Sequence, residues 1–380
     1  MKDALYFPIH RAKMGEITGV GHLSPPTRTR VRPTFEVQKP NGHDDAPVEE
    51  YLAGVASHLL EAWGNRYPLF ADFSQFGPGD RTSDGSHCVD YFFRCLRQHL
   101  MPAIPMTGPE SVRGPGYEYI DAVAGIAHAD GRGAALRIPF DELSDAGKLE
   151  HAISDSLRAL RLEPSSIDLF LDFESLALLP ADLRTATAIV SVFVDALRGI
   201  GESGFRNIVL CGSSVPERVA KEYDWSALRV ERTEFVAWQS LIETFAKVVV
   251  KFSDYGAIYA LEQDTNKPVN PPARIRISTA TEHVLWRAPR KDYVKLCEQV
   301  VASPDFHQEF AVWGTTVLHQ CARYGRAKGG PTEWVARDTN LHIEVTVRTI
   351  ESLLRRLGRL SGVTFADPES YPWNQTTIDT

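Results

Sequence analysis

The stretch IDLFLDFE at residues 167–174 decides the fold reading. Its period of two places Asp168, Phe170, Asp172 and Glu174 on one face of a strand, with apolar side chains filling the remainder. A strand this apolar on both sides belongs in a parallel sheet covered by helices. Seven further short runs rich in β-formers stand at 5–9, 30–37, 67–73, 102–106, 134–138, 207–213 and 247–253. Helix-period segments at 48–63, 89–100, 120–128, 149–160 and 183–200 alternate with them. The first crossover, 13–23, is short, and the seventh, 216–244, is irregular with its helix delayed to 235–245. Eight βα repeats with nearly apolar strands predict a closed (β/α)8 TIM-type barrel over residues 1–264. No G-x-G-x-x-G follows the first strand, which disfavours a dinucleotide-binding open sheet.

After the eighth strand the pattern changes. KPVNPPA (267–273) breaks the chain, and RIRIS (274–278) and HVLWR (283–287) alternate around the polar turn TATE as an antiparallel hairpin would. Helices are expected at 291–302, 306–324 and 340–360, the last two joined by GRAKGGP. The hairpin and helices, 265–365, are expected to pack on the barrel, and 366–380 to form a loose tail. Trp313, Tyr324 and Trp334 fall at helical spacings and read as core.

Composition narrows the function classes. With 43% apolar and 24% charged residues the chain is of ordinary globular type, and no segment approaches the ~20 unbroken apolar residues of a membrane helix. The start MKDALYFPIH has no signal-like apolar region, so a cytoplasmic protein is expected. Five scattered cysteines without a C-x2-C pair read as buried thiols. The net charge of −8 is uneven: 267–359 holds 15 Lys/Arg against 9 Asp/Glu. That basic extension is a candidate surface for a protein partner. The acidic barrel half disfavours direct binding of duplex DNA, whose affinity comes from phosphate neutralisation.

Barrels carry their polar sites where strands run into the following loops. The strand-end residues here are His10, Arg11, Glu36, Asp72, Ser74, Thr107, Arg137, Asp172, Glu174, Ser213, Ser214, Asp254 and Tyr255. Asp172 and Glu174 project together toward the mouth if their face points inward. Several adjacent carboxylates need a cation, and Arg137 on the neighbouring fifth strand supplies one. A salt-bridge lattice around Arg137 satisfies this, and so does a divalent metal such as Mg2+ or Mn2+; the lattice is preferred. Ser213 and Ser214 lie in CGSSVPE, which is no G-x-S-x-G elbow, and are expected to donate hydrogen bonds, a phosphate being one candidate acceptor.

His10-Arg11 ahead of FEVQ resembles the opening of glycerophosphodiester phosphodiesterases at fold level only, because the Glu-x-Asp of that family is missing. A broader resemblance is carried by PIHRAKMGE, RPTFEV, LFADF, ALRI, LFLDFE, GSSVP, RTEFVAW, FSDYG, RIRIS, VLWRA and a late WG. Together these resemble the Beta protein family of bacteria and their phages. The positions that match are Lys13, Gly15, Glu16, Glu36, Asp72, Arg137, Asp172, Arg232, Glu234, Asp254, Tyr255, Arg276, Trp313, Gly314 and His342. His10 departs from the family, which carries an apolar residue there. The resemblance implies a role in phage and host conflict, some members lying beside a nuclease-like gene.

Two functions are therefore carried forward. In the first, the barrel binds a phosphorylated or nucleotide-like ligand, with Lys13 and Arg137 meeting the anion and Glu174, Ser213, Ser214 and Tyr255 completing the ligand site. Glu36, Asp72, Asp172 and Asp254 then serve hydrolytic acid/base chemistry or a metal. In the second, the protein is a non-catalytic binding subunit whose extension docks a nuclease-like partner.

Overall fold

The computed structural model describes residues 4–40, 47–114, 118–201, 204–245, 249–260, 272–306, 310–327 and 329–360. Eight parallel strands form the barrel: β1 (Ile9–Arg11), β2 (Thr34–Glu36), β3 (Leu69–Asp72), β4 (Ala103–Thr107), β5 (Ala134–Pro139), β6 (Ile167–Ser175), β7 (Asn207–Ser213) and, after β8 (Ser226–Glu231) has left the barrel, β9 (Val250–Asp254). The sheet runs β1-β2-β3-β4-β5-β6-β7-β9. Tyr6 closes the ring by bridging Val31 on one side and Phe252 on the other, and the Phe7 amide donates to the Phe252 carbonyl at 2.9 Å. The strands foreseen at 5–9 and 247–253 are thus the two that meet at the seam, although residues 247 and 248 lie outside the described set.

Inward-facing residues stack in layers, as the period of two requires. At the bottom Asp168 accepts from Arg206 Nη2 at 2.7 Å and Asn207 Nδ2 at 2.6 Å, with Arg32 at 3.5 Å. Above it Phe7, Phe70 and Phe170 pack at centroid separations of 5.5 to 6.1 Å. The third layer is ionic and forms the mouth. Asp168 and Asp172 share one face of β6, yet the aromatic layer around Phe170 puts them in different networks.

The extension builds its own small core. β10 (Ala273–Ser278) and β11 (Glu282–Ala288) pair antiparallel from Ala273↔Ala288 to Ser278↔His283, as their alternation predicts. The irregular seventh crossover donates β8 to the far edge of this sheet, in the order β10-β11-β8. No strand was foreseen there, because SALRVE is half exposed and lacks a buried face. The helix expected from 306 begins at Trp313, where Thr315 Oγ1 accepts from the Val312 amide at 3.1 Å and fixes the start. Trp334 is core and stacks on Tyr293 at 4.3 Å, whereas Tyr324 is 54% exposed and does not belong to the core.

The last helix, Pro331–Arg356, starts nine residues before the expected position. Its first turn is signalled by Pro331 at N1 and by Glu333, whose Oε2 accepts from the Gly330 amide at 2.7 Å. Its middle reads polar because it is a buried spline satisfied by ligands from all sides. Asp338 accepts from Arg276 Nη1 at 2.9 Å, and Asn340 Oδ1 from the Gly314 amide at 3.0 Å. Glu344 accepts from Ser24 and Thr27, and Glu351 from Arg30 at 2.8 Å. Gly19 of the helix Met14–Gly21 presses on this spline: a Cβ there would stand 2.5 Å from the Ala336 carbonyl oxygen and 2.8 Å from Thr339 Cβ. Ile343, Val347 and Ile350 of the same helix join the barrel core, so it serves both cores.

Candidate functional site

Three strand ends repeat one device. The carboxylate of Asp72, Asp172 or Asp254 accepts, through Oδ1, the amide two residues ahead: Ser74 at 2.8 Å, Glu174 at 2.8 Å and Gly256 at 2.9 Å. Each acid thereby turns the chain off its strand and keeps Oδ2 for a cation. At β6 the turn holds Glu174 at φ 54°, a left-handed conformation unusual for a glutamate, within a register shift between Asp172 and Ser175.

Arg137 gathers the inward acids. Its Nε donates to Asp172 Oδ2 at 2.7 Å, and its Nη1 to Glu36 Oε1 at 2.8 Å and Asp72 Oδ2 at 3.0 Å. Its Nη2 donates to Tyr255 Oη at 2.6 Å, and that hydroxyl donates to Asp172 Oδ2. Four strands, β2, β3, β5 and β6, together with the residue after β9, meet at one guanidinium. Burial alone would weaken its hold on the proton, but Tyr255, Asp172, Glu36 and Asp72 outweigh it and keep Arg137 charged. Three acids face one cation, and the surplus shows: burial, reinforced by Asp72, raises Glu36 despite Arg137, and burial and Asp172 lift Glu174 to about 7.

In this structure the carboxylates of the mouth are engaged as a lattice. Among the described residues no three His, Cys, Asp or Glu side chains are grouped to hold a metal ion. The oxygens that a Mg2+ or Mn2+ ion would need are turned to Arg137, so the donor set does not fit one.

Asp254 departs from the expected mouth. It shares the outward parity of Phe252, and its carboxylate meets Arg232 Nη2 at 3.2 Å, the Tyr6 hydroxyl, and His342 Nε2 at 3.1 Å. Neighbouring Tyr255 points inward to Arg137, so adjacent residues serve opposite sides of the barrel wall. Burial would raise Asp254, but His342, Arg232 and Tyr6 hold it well below the usual carboxylate range. His342 Nδ1 lies 2.6 Å from Ser278 Oγ, and that oxygen lies 3.1 Å from His283 Nδ1. Ser278, His342 and Asp254 are connected like a nucleophilic triad, but the ring nitrogens are swapped relative to that template and all three are buried away from both cavities described below. They hold the extension to the wall. His10 lies beside this network, buried, with Nε2 lacking a partner among the described residues and its pKa lowered to about 3 by burial and then by His342.

Next to the mouth, a cavity of about 400 Å³ opens between barrel and extension. Arg11, Lys13 and Glu16 line it from the β1 side, Tyr259 from the loop after β9, and Arg276 from β10. Arg11 Nη2 donates to the Tyr259 carbonyl at 3.1 Å. A larger cleft of about 580 Å³ lies on the flank between the helices Cys88–Gln98 and Glu118–Asp130, away from the strand ends, and its Arg94 and Arg97 are paired with Asp84 and Asp130.

A family model described as Beta protein matches residues 6–348. The chain belongs to the Beta protein family. No curated protein matches it. Similar solved structures include a triosephosphate isomerase from Bartonella henselae, at 12% identity over 67% of this chain and 94% of that one, TM-score 0.36. A diaminopimelate decarboxylase from Helicobacter pylori complexed with L-lysine matches at 10% identity over 67% of this chain and 57% of that one, TM-score 0.35. An alanine racemase from Clostridium difficile 630 in complex with cycloserine matches at 10% over 74% and 61%, TM-score 0.32.

The positions singled out by likeness to the Beta protein family fall into two groups in this structure. Glu36, Asp72, Arg137, Asp172 and Tyr255 form the mouth, with Lys13, Gly15, Glu16 and Arg276 lining the adjoining cavity. Arg232, Glu234, Asp254, Trp313, Gly314 and His342 serve the wall and the spline, where Trp313 stacks on His22 at 4.0 Å. Of the residues chosen by strand-end position, Ser213 Oγ accepts from the Val215 amide at 3.3 Å and steadies its own loop, and Ser214 Oγ is buried without a partner among the described residues. Strand-end reasoning missed Cys211, whose thiol is pushed up by burial and by Asp172; its inward parity, two residues before Ser213, was the available signal.

Proposed function

We propose that this member of the Beta protein family binds a small phosphorylated or nucleotide-like ligand at the C-terminal side of its barrel and hydrolyses it in phage and host conflict. The observation that carries the reading is the convergence of Arg11, Lys13 and Arg276 on one cavity at the strand ends. Arg137, first matched to the anion, is committed to three carboxylates and a tyrosine, so the anion is assigned instead to the cations that line the cavity, which have partners of their own. Glu36 and Glu174 are the partly accessible acids of the barrel mouth, and a Glu174 that titrates near 7 suits a general acid or base.

A second reading, a non-catalytic subunit that docks a nuclease-like partner through the basic extension, is favoured by one observation: Asp72 and Asp172 have both oxygens engaged. Calorimetry with pyrophosphate and nucleoside monophosphates tests the first reading. Binding that Arg11→Met and Lys13→Met each weaken by about tenfold or more, the scale of one charge-assisted contact, supports it. Turnover lost in Glu174→Gln with binding kept supports hydrolysis; binding without turnover in the wild type favours the subunit, and no binding removes the ligand reading.

A further inference from the structure

We propose that Glu16 works as a protonated hydrogen-bond donor, completing an oxyanion-binding pocket with Arg11, Lys13 and Arg276; this rests on the ligand reading above and names the ligand group as an oxyanion. Glu16 is only 3% exposed, and its Oε2 is buried with no hydrogen-bond partner among the described residues. An ionised carboxylate oxygen left so is costly, and so is a carboxylic O–H without an acceptor. The cost disappears if the acid is neutral and an acceptor arrives from the cavity it lines. An oxyanion seated against the neighbouring cations brings such an acceptor, whereas an ammonium group would compete with them.

The charged groups facing Glu16 come from every side of the pocket. Arg11 and Lys13 belong to its own β1 segment, Glu36 to β2 and Arg276 to β10, where Asp338 partly neutralises the last. The long helix adds only Pro331, Thr332 and Val335 to the lining. Burial is the largest influence and raises Glu16 to about 8, with Arg11 and Lys13 opposing and Glu36 reinforcing. The donor is therefore present at neutral pH and lost above about 8, where a carboxylate would instead repel the ligand.

Inorganic sulfate is a suitable probe, because it does not titrate between pH 6 and 9. Calorimetry is expected to show wild-type affinity falling by up to about tenfold from pH 7 to pH 9, the most that one proton on a group titrating near 8 can produce. Glu16→Gln retains a donor without titrating, so it should bind as the wild type does at pH 7 and keep that affinity at pH 9. Lys13→Met should weaken binding at both values and, because Lys13 holds the Glu16 carboxyl down, move the fall in affinity to higher pH without abolishing it. A flat wild-type profile, or the same fall in Glu16→Gln, overturns the Glu16 role while the ligand reading stands. Absence of any affinity for sulfate, pyrophosphate or nucleotides overturns the ligand reading itself. If Glu16→Gln does not fold, difference infrared spectra of the wild type decide: a protonated carboxyl band present at pH 7, perturbed by sulfate and lost by pH 9 is expected, and its absence at pH 7 refutes the proposal.

Discussion

Replacing Arg137 by methionine tests the organisation of the mouth. The substitution removes the cation shared by Glu36, Asp72 and Asp172 and leaves their carboxylates in a site where Asp172 is fully buried and Asp72 3% exposed. Stranding a buried charge in this way costs roughly 3 to 5 kcal/mol. Asp172→Asn is different, because Arg137 keeps Glu36 and Asp72. It loses one charge-assisted hydrogen bond but relieves repulsion among acids that outnumber their cation, for a net cost of about 1 to 2 kcal/mol. Once Arg137 is gone, Asp172→Asn removes one of the stranded charges, so the double variant should be more stable than Arg137→Met alone by about 1 to 2 kcal/mol. Urea unfolding followed by tryptophan fluorescence, with m-values checked for constancy, measures all three. The Arg137→Met deficit should shrink at acid pH as the acids take up protons. An Arg137→Met cost near zero, or strictly additive losses, would refute the three-to-one lattice.

Two more outcomes follow from the wall and the spline. Asp254→Asn leaves Arg232 buried without its carboxylate and should cost roughly 3 to 5 kcal/mol at neutral pH. Because the folded state holds Asp254 below its unfolded pKa, this contribution is present above about pH 4 and fades as pH falls, so acid melts of variant and wild type should converge; a constant gap would contradict the pairing. Gly19→Ala forces a methyl against the Ala336 carbonyl and should lose about 1 to 3 kcal/mol by urea unfolding, and a neutral result would mean that the two helices are not in close contact.

Much of the barrel was legible in local pattern. The period of two in IDLFLDFE and its seven counterparts identifies strands, and the same parity predicts that Asp172 and Arg137 meet on adjacent strands. The hairpin is equally local, since RIRIS and HVLWR carry their own alternation and turn. Closure was not. Glu36 reaches Arg137 across 101 residues only because the sheet curls until β2 and β5 face each other over the mouth, which no short window encodes. Nor does a window say which side of the wall a strand's last residue takes: Asp254 and Tyr255 part because Tyr6, Arg232 and His342 wait outside and Arg137 inside. The spline hides its helical character in buried polar residues whose partners lie up to 321 residues away. The cavity is also a tertiary product, assembled from the first barrel loop, the loop after β9, a hairpin strand and a helix start. Periodicity is a property of neighbours along the chain, while charge compensation and cavities belong to whatever the fold brings together, so the sequence by itself determined the strands and their rim acids and only the tertiary structure decided which cation each acid would meet.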